Sequence, residues 1–288
     1  MKKKKVRLTP YLLLLLPLTL VGTFSYYPFV KTIISAFSKT TEVGQWLGWA
    51  DLENWKIVFN DKGFWQVIRN TVVFAAVVLT GSLTISITLA LLADGCRGKG
   101  RRLIQTLYAL PLVIASAPAS LIWKFMYRGQ GGILNALMGT EIEWLIQPNT
   151  ALIAVAIVTA WGSSASGMIL LLAGFKGVSD DLLEAATLDG AGPIMQAFKI
   201  KIPIASPQIF YVVFLKIITA FKAFAQIKLL TSGGPAGAST TLMYKIYERG
   251  TASGYFELAC CYSILLFVII FATTRIQFMM EKKLVHYQ

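Results

Sequence analysis

Six long apolar runs, each with few charged positions, alternate along this chain with segments rich in Gly, Pro, Asn and charged residues. The runs are Tyr11–Phe37, Thr71–Ala93, Leu103–Tyr127, Ala151–Phe175, Pro207–Leu230 and Phe256–Met280. Each has the ~20 residues a helix needs to cross a hydrocarbon core of ~30 Å. Lipid offers the backbone no hydrogen-bond partner, so apolar runs of this length span as helices. The pattern predicts an all-α integral membrane protein of six transmembrane helices, forming one transmembrane domain over residues 1–288. The intervening segments Ser38–Asn70, Arg128–Thr150 and Thr231–Tyr255 fall on one side. Asp94–Arg102, Lys176–Ser206 and the C-terminal tail fall on the other.

Composition agrees with that reading: 56% of residues are hydrophobic, 14% are charged and the mean hydropathy is +0.63, outside the range of soluble domains. The net charge of +13 suggests nucleic acid until its distribution is considered. Lys2–Lys5, Arg7, Arg97, Lys99, Arg101, Arg102, Lys176, Lys199, Lys201, Arg275, Lys282 and Lys283 all fall on the side of the N-terminus, with few acids among them. The opposite segments carry slightly more acid than base. An excess of Lys and Arg marks the cytosolic face. Both termini are therefore expected in the cytosol, and the basic excess is a topological signal rather than a nucleic-acid surface. The first run follows Lys2–Lys5 as a signal peptide would, but it is too long and no Ala-x-Ala-like site follows it, so it is read as a retained anchor.

Little in the chain suggests chemistry. Cys96, Cys260 and Cys261 form no framework, the single histidine is His286, and no cluster has metal-ligand or nucleophile-base spacing. No cofactor is expected. The turn Asp94–Gly100 is Gly- and base-rich but lacks the spacing and preceding strand of a phosphate loop. If ATP drives this protein, another subunit binds it. No internal repeat is visible, which counts against an ion-coupled secondary carrier, where such symmetry is common.

The longest segment on the basic side, Lys176–Ser206, has the marks of two helices and a turn. Asp180, Asp181 and Glu184 suit the positive end of a first helix, with Ser179 as its N-cap. Ala185 and Ala186 are small helix formers that let another surface approach. Gly190 ends the helix where a positive φ is needed, Ala191-Gly192-Pro193 turns the chain, and Pro193 suits the first position of a second helix. Pro203 is expected to close that second helix. Alone, these features fit either a helix pair lying on the membrane or a docking element for a cytosolic partner.

The spacing Glu184-Ala185-Ala186, three residues, Gly190, nine residues, Ile200-x-Ile202-Pro203 closely resembles the EAA loop of ABC-transporter permeases, with Ile202 in place of the usual leucine. Asp189-Gly190-Ala191 is the form typical of the carbohydrate-importing branch. The resemblance covers almost the whole chain. Asp51–Trp55, Asn70-Thr71, Leu110-Pro111, Pro118, Trp123, Gly132–Asn135, Trp161 and Ala173-Gly174 resemble family markers in order. Phe221, Phe224, Ile227 and Thr231-Ser232-Gly233-Gly234-Pro235 resemble the family's F-x-x-F-D-x-I-Y-x-L-T-x-G-G-P, with Ala225 replacing Asp and Lys228 replacing Tyr.

The resemblance implies a type I ABC importer permease fold with a cytosolic coupling loop at 176–206, in an inner or plasma membrane. It implies a second permease subunit forming a heterodimer, two ATP-binding ATPase subunits, and an extracytoplasmic solute-binding protein delivering a sugar or oligosaccharide. Glycerol-3-phosphate or another anionic solute is the alternative. Glu184, Ala185, Ala186, Asp189, Gly190, Ala191 and Pro203 would couple to the ATPases. The external loop would be Thr231, Gly233, Gly234 and Pro235.

In the maltose-type permease the sugar lies between the fourth and fifth core spans. Carrying those positions across through Trp161 and Thr231 gives Gly162, Ser163 and Ser166, then Thr219, Ala220 and Ala223. Lys222 and Gln226 extend this polar stripe. Small and hydroxyl residues line wet cavities, and they also permit tight helix packing in membranes; both readings stand at this point. Lys31, Lys124 and Lys228 lie near helix ends, where long side chains reach toward water. Lys216 and Lys222 lie deeper, facing either a pore or a partner subunit.

Overall fold

The computed structural model describes residues 9–41, 45–96 and 98–284, with side chains from residue 13 to residue 281 apart from Lys99 and Arg101. Lys2–Lys5, Arg7, Arg97 and His286 lie outside the described residues. The chain divides into two compact units, Met1–Asp61 with Ile246–Leu265, and Lys62–Lys245 with Leu266–Gln288.

In the first unit, α1 (Thr9–Val21) passes through a widened π turn, Gly22–Tyr26, into α2 (Tyr27–Ala36). The widening sits just before Pro28, whose ring would otherwise press on a carbonyl four residues back. Leu13–Ala36 is long and apolar enough to span, and its most apolar window is wholly unburied. The intervening segment Ser38–Asn70 contains a small antiparallel hairpin, β1 (Ser38–Thr40) and β2 (Trp46–Trp49), in register Ser38 to Trp49. α3 (Glu53–Phe59) follows. The buried amide of Asn54 donates to the Ala36 and Ser38 carbonyls at 3.1 and 2.9 Å, pinning α3 to the end of α2. On the returning segment, Arg249 pairs with Asp61 at 2.8 Å and Thr40 donates to Glu257 at 2.7 Å.

The second unit is organised around α4 (Phe64–Gly95) and α8 (Pro148–Phe175), whose mutual contact is the most extensive in the chain. Small residues allow the approach. A β-carbon on Gly81 would lie 3.2 Å from that of Ala160, and one on Gly167 would lie 2.4 Å from Ser86 Oγ. Ser86 also donates to the Ser164 carbonyl at 2.8 Å. Without a hydrophobic drive between helices in lipid, such close packing and interhelical hydrogen bonds hold the pair.

The predicted third span is two helices, α5 (Gly98–Val113) and α6 (Ser116–Met126), bent by 104°. A straight helix would set the Pro118 ring against the Ile114 carbonyl, which it cannot hydrogen-bond, and the chain breaks there. Trp123 of α6 packs edge-on to Trp161 of α8 at 5.6 Å, and the Tyr127 hydroxyl donates to the Ala154 carbonyl at 3.0 Å. A short α7 (Ile133–Met138) lies between α6 and α8.

After α8 come α9 (Asp180–Leu188), α10 (Pro193–Gln196), a π turn Ala197–Lys201, and α11 (Ile202–Ile204). The helical path Pro193–Ile204 meets α12 (Ser206–Phe221) at 74°. The expected fifth span is thus bent at its start, and it is broken again at Lys222–Phe224 before α13 (Ala225–Leu230). α14 (Leu242–Tyr247) and α15 (Phe256–Leu284) complete the chain. In the second unit, Gln277 of α15 donates to the Phe210 carbonyl at 2.9 Å, and Phe278 packs on Phe210 and Phe214. Among the described residues four helices are long and apolar enough to span, and six if each bent pair counts as one.

Candidate functional site: the α9–α10 loop and a cavity at broken helices

α9 begins where its sequence marks it. Ser179 occupies the N-cap position with extended backbone, although its hydroxyl makes no capping bond, and Asp180 and Asp181 lie in the first turn. The helix ends at Asp189, and Gly190 has φ +81°. Ala191 N–H donates to the Ala186 carbonyl at 2.8 Å and Gly190 N–H to that of Thr187 at 3.0 Å. Those two bonds form a Schellman turn, whose left-handed residue is almost always glycine. Nothing lies within 4 Å of a β-carbon built on Gly190, so the backbone angle, and not space, requires glycine there.

Gly192 then caps α10, with Pro193 in its first turn. Gln196 braces the two helices by donating to Thr187 Oγ1 at 2.9 Å and to the Ala191 carbonyl at 3.0 Å. Sequence reasoning missed Gln196, since nothing local sets it apart. Pro203 does not close the second helix as expected. The preceding π turn makes room for its ring, the helix runs on to Ile204, and the bend falls at buried Ala205. Glu184 and Ala185 are exposed and Ala186 is half-buried. Leu188, Ile194 and Phe198 are 89%, 76% and 64% exposed, an apolar surface at the tip of the loop.

The eight residues of the predicted polar stripe separate. Gly162, Ser163 and Thr219 line a cavity of about 180 Å³ with Pro111, Ser116, Thr159 and Gln226. Thr219, Lys222, Ala223 and Gln226 line an adjoining, more open one of about 480 Å³, which shares Ser116 and Thr159. Ser116 stands at the α5–α6 break and Thr159 lies on α8 three residues before Gly162, on the same face; neither is among the pathway positions that the resemblance supplies. Ala220 is buried in packing and lines neither cavity. Ser166 also turns away: its hydroxyl accepts from Lys216 Nζ at 2.8 Å, and the same ammonium donates to the Ser163 carbonyl. Lys216, only 2% exposed, therefore ties α12 to α8, whereas exposed Lys222 reaches the cavity.

Thr219, Ala220 and Ala223, at i, i+1 and i+4, would share one face only on a continuous helix. The helix instead ends before Ala223, at the break Lys222–Phe224, which neither Gly nor Pro announces; Ala223 still lines the open cavity with Thr219, while Ala220 does not. Ends of broken helices leave backbone amides and carbonyls without intrahelical partners, which a solvated cavity can satisfy.

Beyond α13, Thr231–Thr241 forms a compact loop. Thr231 Oγ1 and Ser239 Oγ lie 2.7 Å apart, Ser239 donates to the Gly234 carbonyl at 2.6 Å and Thr240 to that of Gly233 at 2.9 Å. Gly233 has φ +80°, and a β-carbon there would lie 2.6 Å from Thr240 and Tyr244 side chains. The Gly234–Pro235 bond is cis. Asn70 donates to the Gly237 and Thr240 carbonyls at 2.9 and 3.1 Å, and Thr71 accepts from Leu242 N–H at 2.8 Å. Two sequence markers far apart in the chain are thereby one structural unit.

A polar cavity walled by broken membrane helices suits passage of a solute, which is the architecture of a transport permease. The chain belongs to the family of binding-protein-dependent transport system inner membrane components, whose sequence model matches residues 86–286. It is 31% identical over 282 residues to the sn-glycerol-3-phosphate transport system permease protein UgpA of Yersinia pseudotuberculosis, covering 96% of each chain. It is 29% identical to the UgpA of Agrobacterium fabrum, covering 98% of this chain and 97% of that one. Its fold matches a chain of a bacterial ABC transporter involved in the import of the acidic polysaccharide alginate, with a TM-score of 0.83 at 21% identity and 96% of each chain covered. A chain of a bacterial alginate ABC transporter in complex with an alginate pentasaccharide-bound periplasmic protein matches with a TM-score of 0.81 at 21% identity, over 96% of this chain and 94% of that one. The fold is that of a type I ABC importer permease.

Proposed function

We propose that this chain is one of two permease subunits in an importer driven by two partner ATPases and fed by an extracytoplasmic solute-binding protein. It binds no nucleotide itself. Both termini and the α9–α10 loop face the cytosol, a placement supported by the Lys and Arg excess on that side. The observation that carries the reading is the exposed apolar tip, Leu188, Ile194 and Phe198, on a loop whose turn is held by its own hydrogen bonds. Such surface marks a contact with a protein or a membrane, and the in-register spacing of Glu184, Gly190 and Pro203 favours a protein partner.

The solute is a carbohydrate or a carbohydrate-derived anion. Lys222 at the cavity favours the anionic member, in line with relatives named for sn-glycerol-3-phosphate transport. Thr159, Ser116, Thr219 and Gln226 supply hydroxyl and amide partners for its oxygens.

The test is uptake by proteoliposomes holding the complex purified through this chain, with solute-binding protein outside and ATP inside. Glycerol-3-phosphate and a neutral disaccharide are the two probes. Lys222→Gln is expected to weaken uptake of the anion by roughly tenfold, the size of one charged hydrogen bond, and to leave the neutral probe alone. Transport by this chain without ATPases, on an ion gradient, would overturn the importer reading. Equal effects on both probes would overturn the role of Lys222.

A further inference from the structure

Among the described residues, two contacts join the loop closely to the membrane helices of the second unit. At one, Ala205 lies with Leu89, Ala90 and Ala93 of α4, Met168, Leu171, Leu172 and Phe175 of α8, and Val212 of α12 in a closed apolar cluster. This cluster holds the point at which the chain bends by 74° between α11 and α12. At the other, Lys201 Nζ contacts Asp94 Oδ2 at 2.5 Å, joining residues 107 apart in sequence. Their side chains are 16% and 12% exposed. Between α9 and the end of α4 the structure is otherwise open: a cleft of about 1380 Å³ is lined by Leu91, Leu92 and Asp94 on one wall and by Glu184, Thr187 and Lys201 on the other.

We propose that the Lys201–Asp94 pair is the strut that carries displacement of the α9–α10 loop into α4. The inference rests on the reading of that loop as the docking site of the ATPases. Mechanically, a lever needs a pivot and a second point of attachment. The buried cluster at Ala205 is the pivot, because packed apolar side chains resist separation but tolerate small rotation. Lys201 lies one helical turn before it, at the end of the π turn, and grips the last turn of α4. A pair so little exposed is screened weakly by salt, and losing Asp94 leaves the Lys201 charge poorly solvated. Movement of the loop about Ala205 therefore either drags the end of α4 with it or breaks the pair. Since α4 packs along α8, which walls the cavity, the strut connects loop to cavity through contiguous contacts. Lys201 and Asp94 are positioning residues; neither touches solute.

The experiment measures uptake per ATP hydrolysed in the reconstituted complex, which a purely structural role would not change once the complex has assembled. Asp94→Asn and Lys201→Met are expected to retain the ATPases and their activity but lower that ratio by about tenfold, within the usual range of coupling between sites. Lys201→Arg, which keeps the pair, is expected to keep the ratio. The exchange Asp94→Lys with Lys201→Asp is expected to recover most of it. An unchanged ratio in the single variants overturns the proposal while leaving the docking reading intact. If the single variants fail to assemble, the exchanged pair decides: assembled and coupled supports the strut, whereas assembled and uncoupled, or no better assembled than the singles, overturns it. The docking reading fails separately if Leu188→Asp with Phe198→Asp still retains the ATPases.

Discussion

The α9–α10 loop and the cavity beside the α12–α13 break are both built from small and polar residues, yet they hold their shapes by different means. The loop is local. Its turn is closed by Ala191 and Gly190 bonding back to Ala186 and Thr187, and its brace, Gln196, reaches no farther than 13 residues. The cavity is assembled from distant pieces: Ser116 from the break between α5 and α6, Thr159 and Gly162 from α8, and Thr219 and Gln226 from either side of the break after α12. Lys216, bonded to Ser163 and Ser166 more than a hundred atoms of backbone away, sets the distance between two of those walls. On the proposed reading, the part that docks a partner keeps its shape by itself, while the part that passes a solute takes its shape from several separate helices.

The sharpest way to break this contrast is to separate α4 from α8. Gly167→Leu would place a side chain where Ser86 Oγ lies 2.4 Å and Lys216 Cε 3.1 Å from the first added carbon. Overpacking of this kind costs about 3 kcal/mol, and the Ser86 and Lys216 side chains, both buried and hydrogen-bonded to α8, leave little room to relax. The expected outcome is loss of assembled complex in membranes, measured by co-purification. Normal assembly would show that the α4–α8 contact is looser than its geometry.

Ala223→Trp has the next effect. Ala223 lines the open cavity, so added bulk there is expected to abolish nearly all uptake while the complex assembles and the solute-binding protein still stimulates its ATPase activity. Ala223 is 8% exposed, and loss of assembly would assign it to packing instead. Unchanged uptake would remove this face from the pathway.

The loop should respond more gently and in a graded way. At φ +81° a side chain costs roughly 1–2 kcal/mol, less for Asn. Gly190→Leu is expected to lower uptake per ATP several-fold with the chain still inserted, and Gly190→Asn to lie close to the parent. Equal behaviour of Leu and Asn would mean that the Schellman turn is not what the loop contributes.

Local and long-range control divide the sequence signals in the same way. Where the signal was local, the reading of the loop placed α9, Gly190 and the Pro193 start correctly, and it misjudged Pro203 only because a π turn can absorb a proline ring. Pro118 carried a local signal for the α5–α6 bend that a hydropathy window averages away. At the cavity, carrying over one helical face placed Gly162, Ser163, Thr219, Lys222, Ala223 and Gln226 along the two cavities, but it also included Ala220, which is packed, and Ser166, which is engaged by Lys216. Asn70 and Thr71 stood out only as markers until the Thr231–Thr241 loop was found resting on them.

By itself the sequence determined the membrane class, the long apolar spans and the turn at Gly190. Each depends on hydrophobic run length or on backbone freedom at a single residue, and those are properties of neighbouring residues. Tertiary structure alone decided the break at Lys222–Phe224, the partners of Lys216, and the joining of Lys201 to Asp94. Those features depend on which helix faces come together, and that is settled by many small contacts between distant segments, none of them strong enough to leave its own mark in the chain.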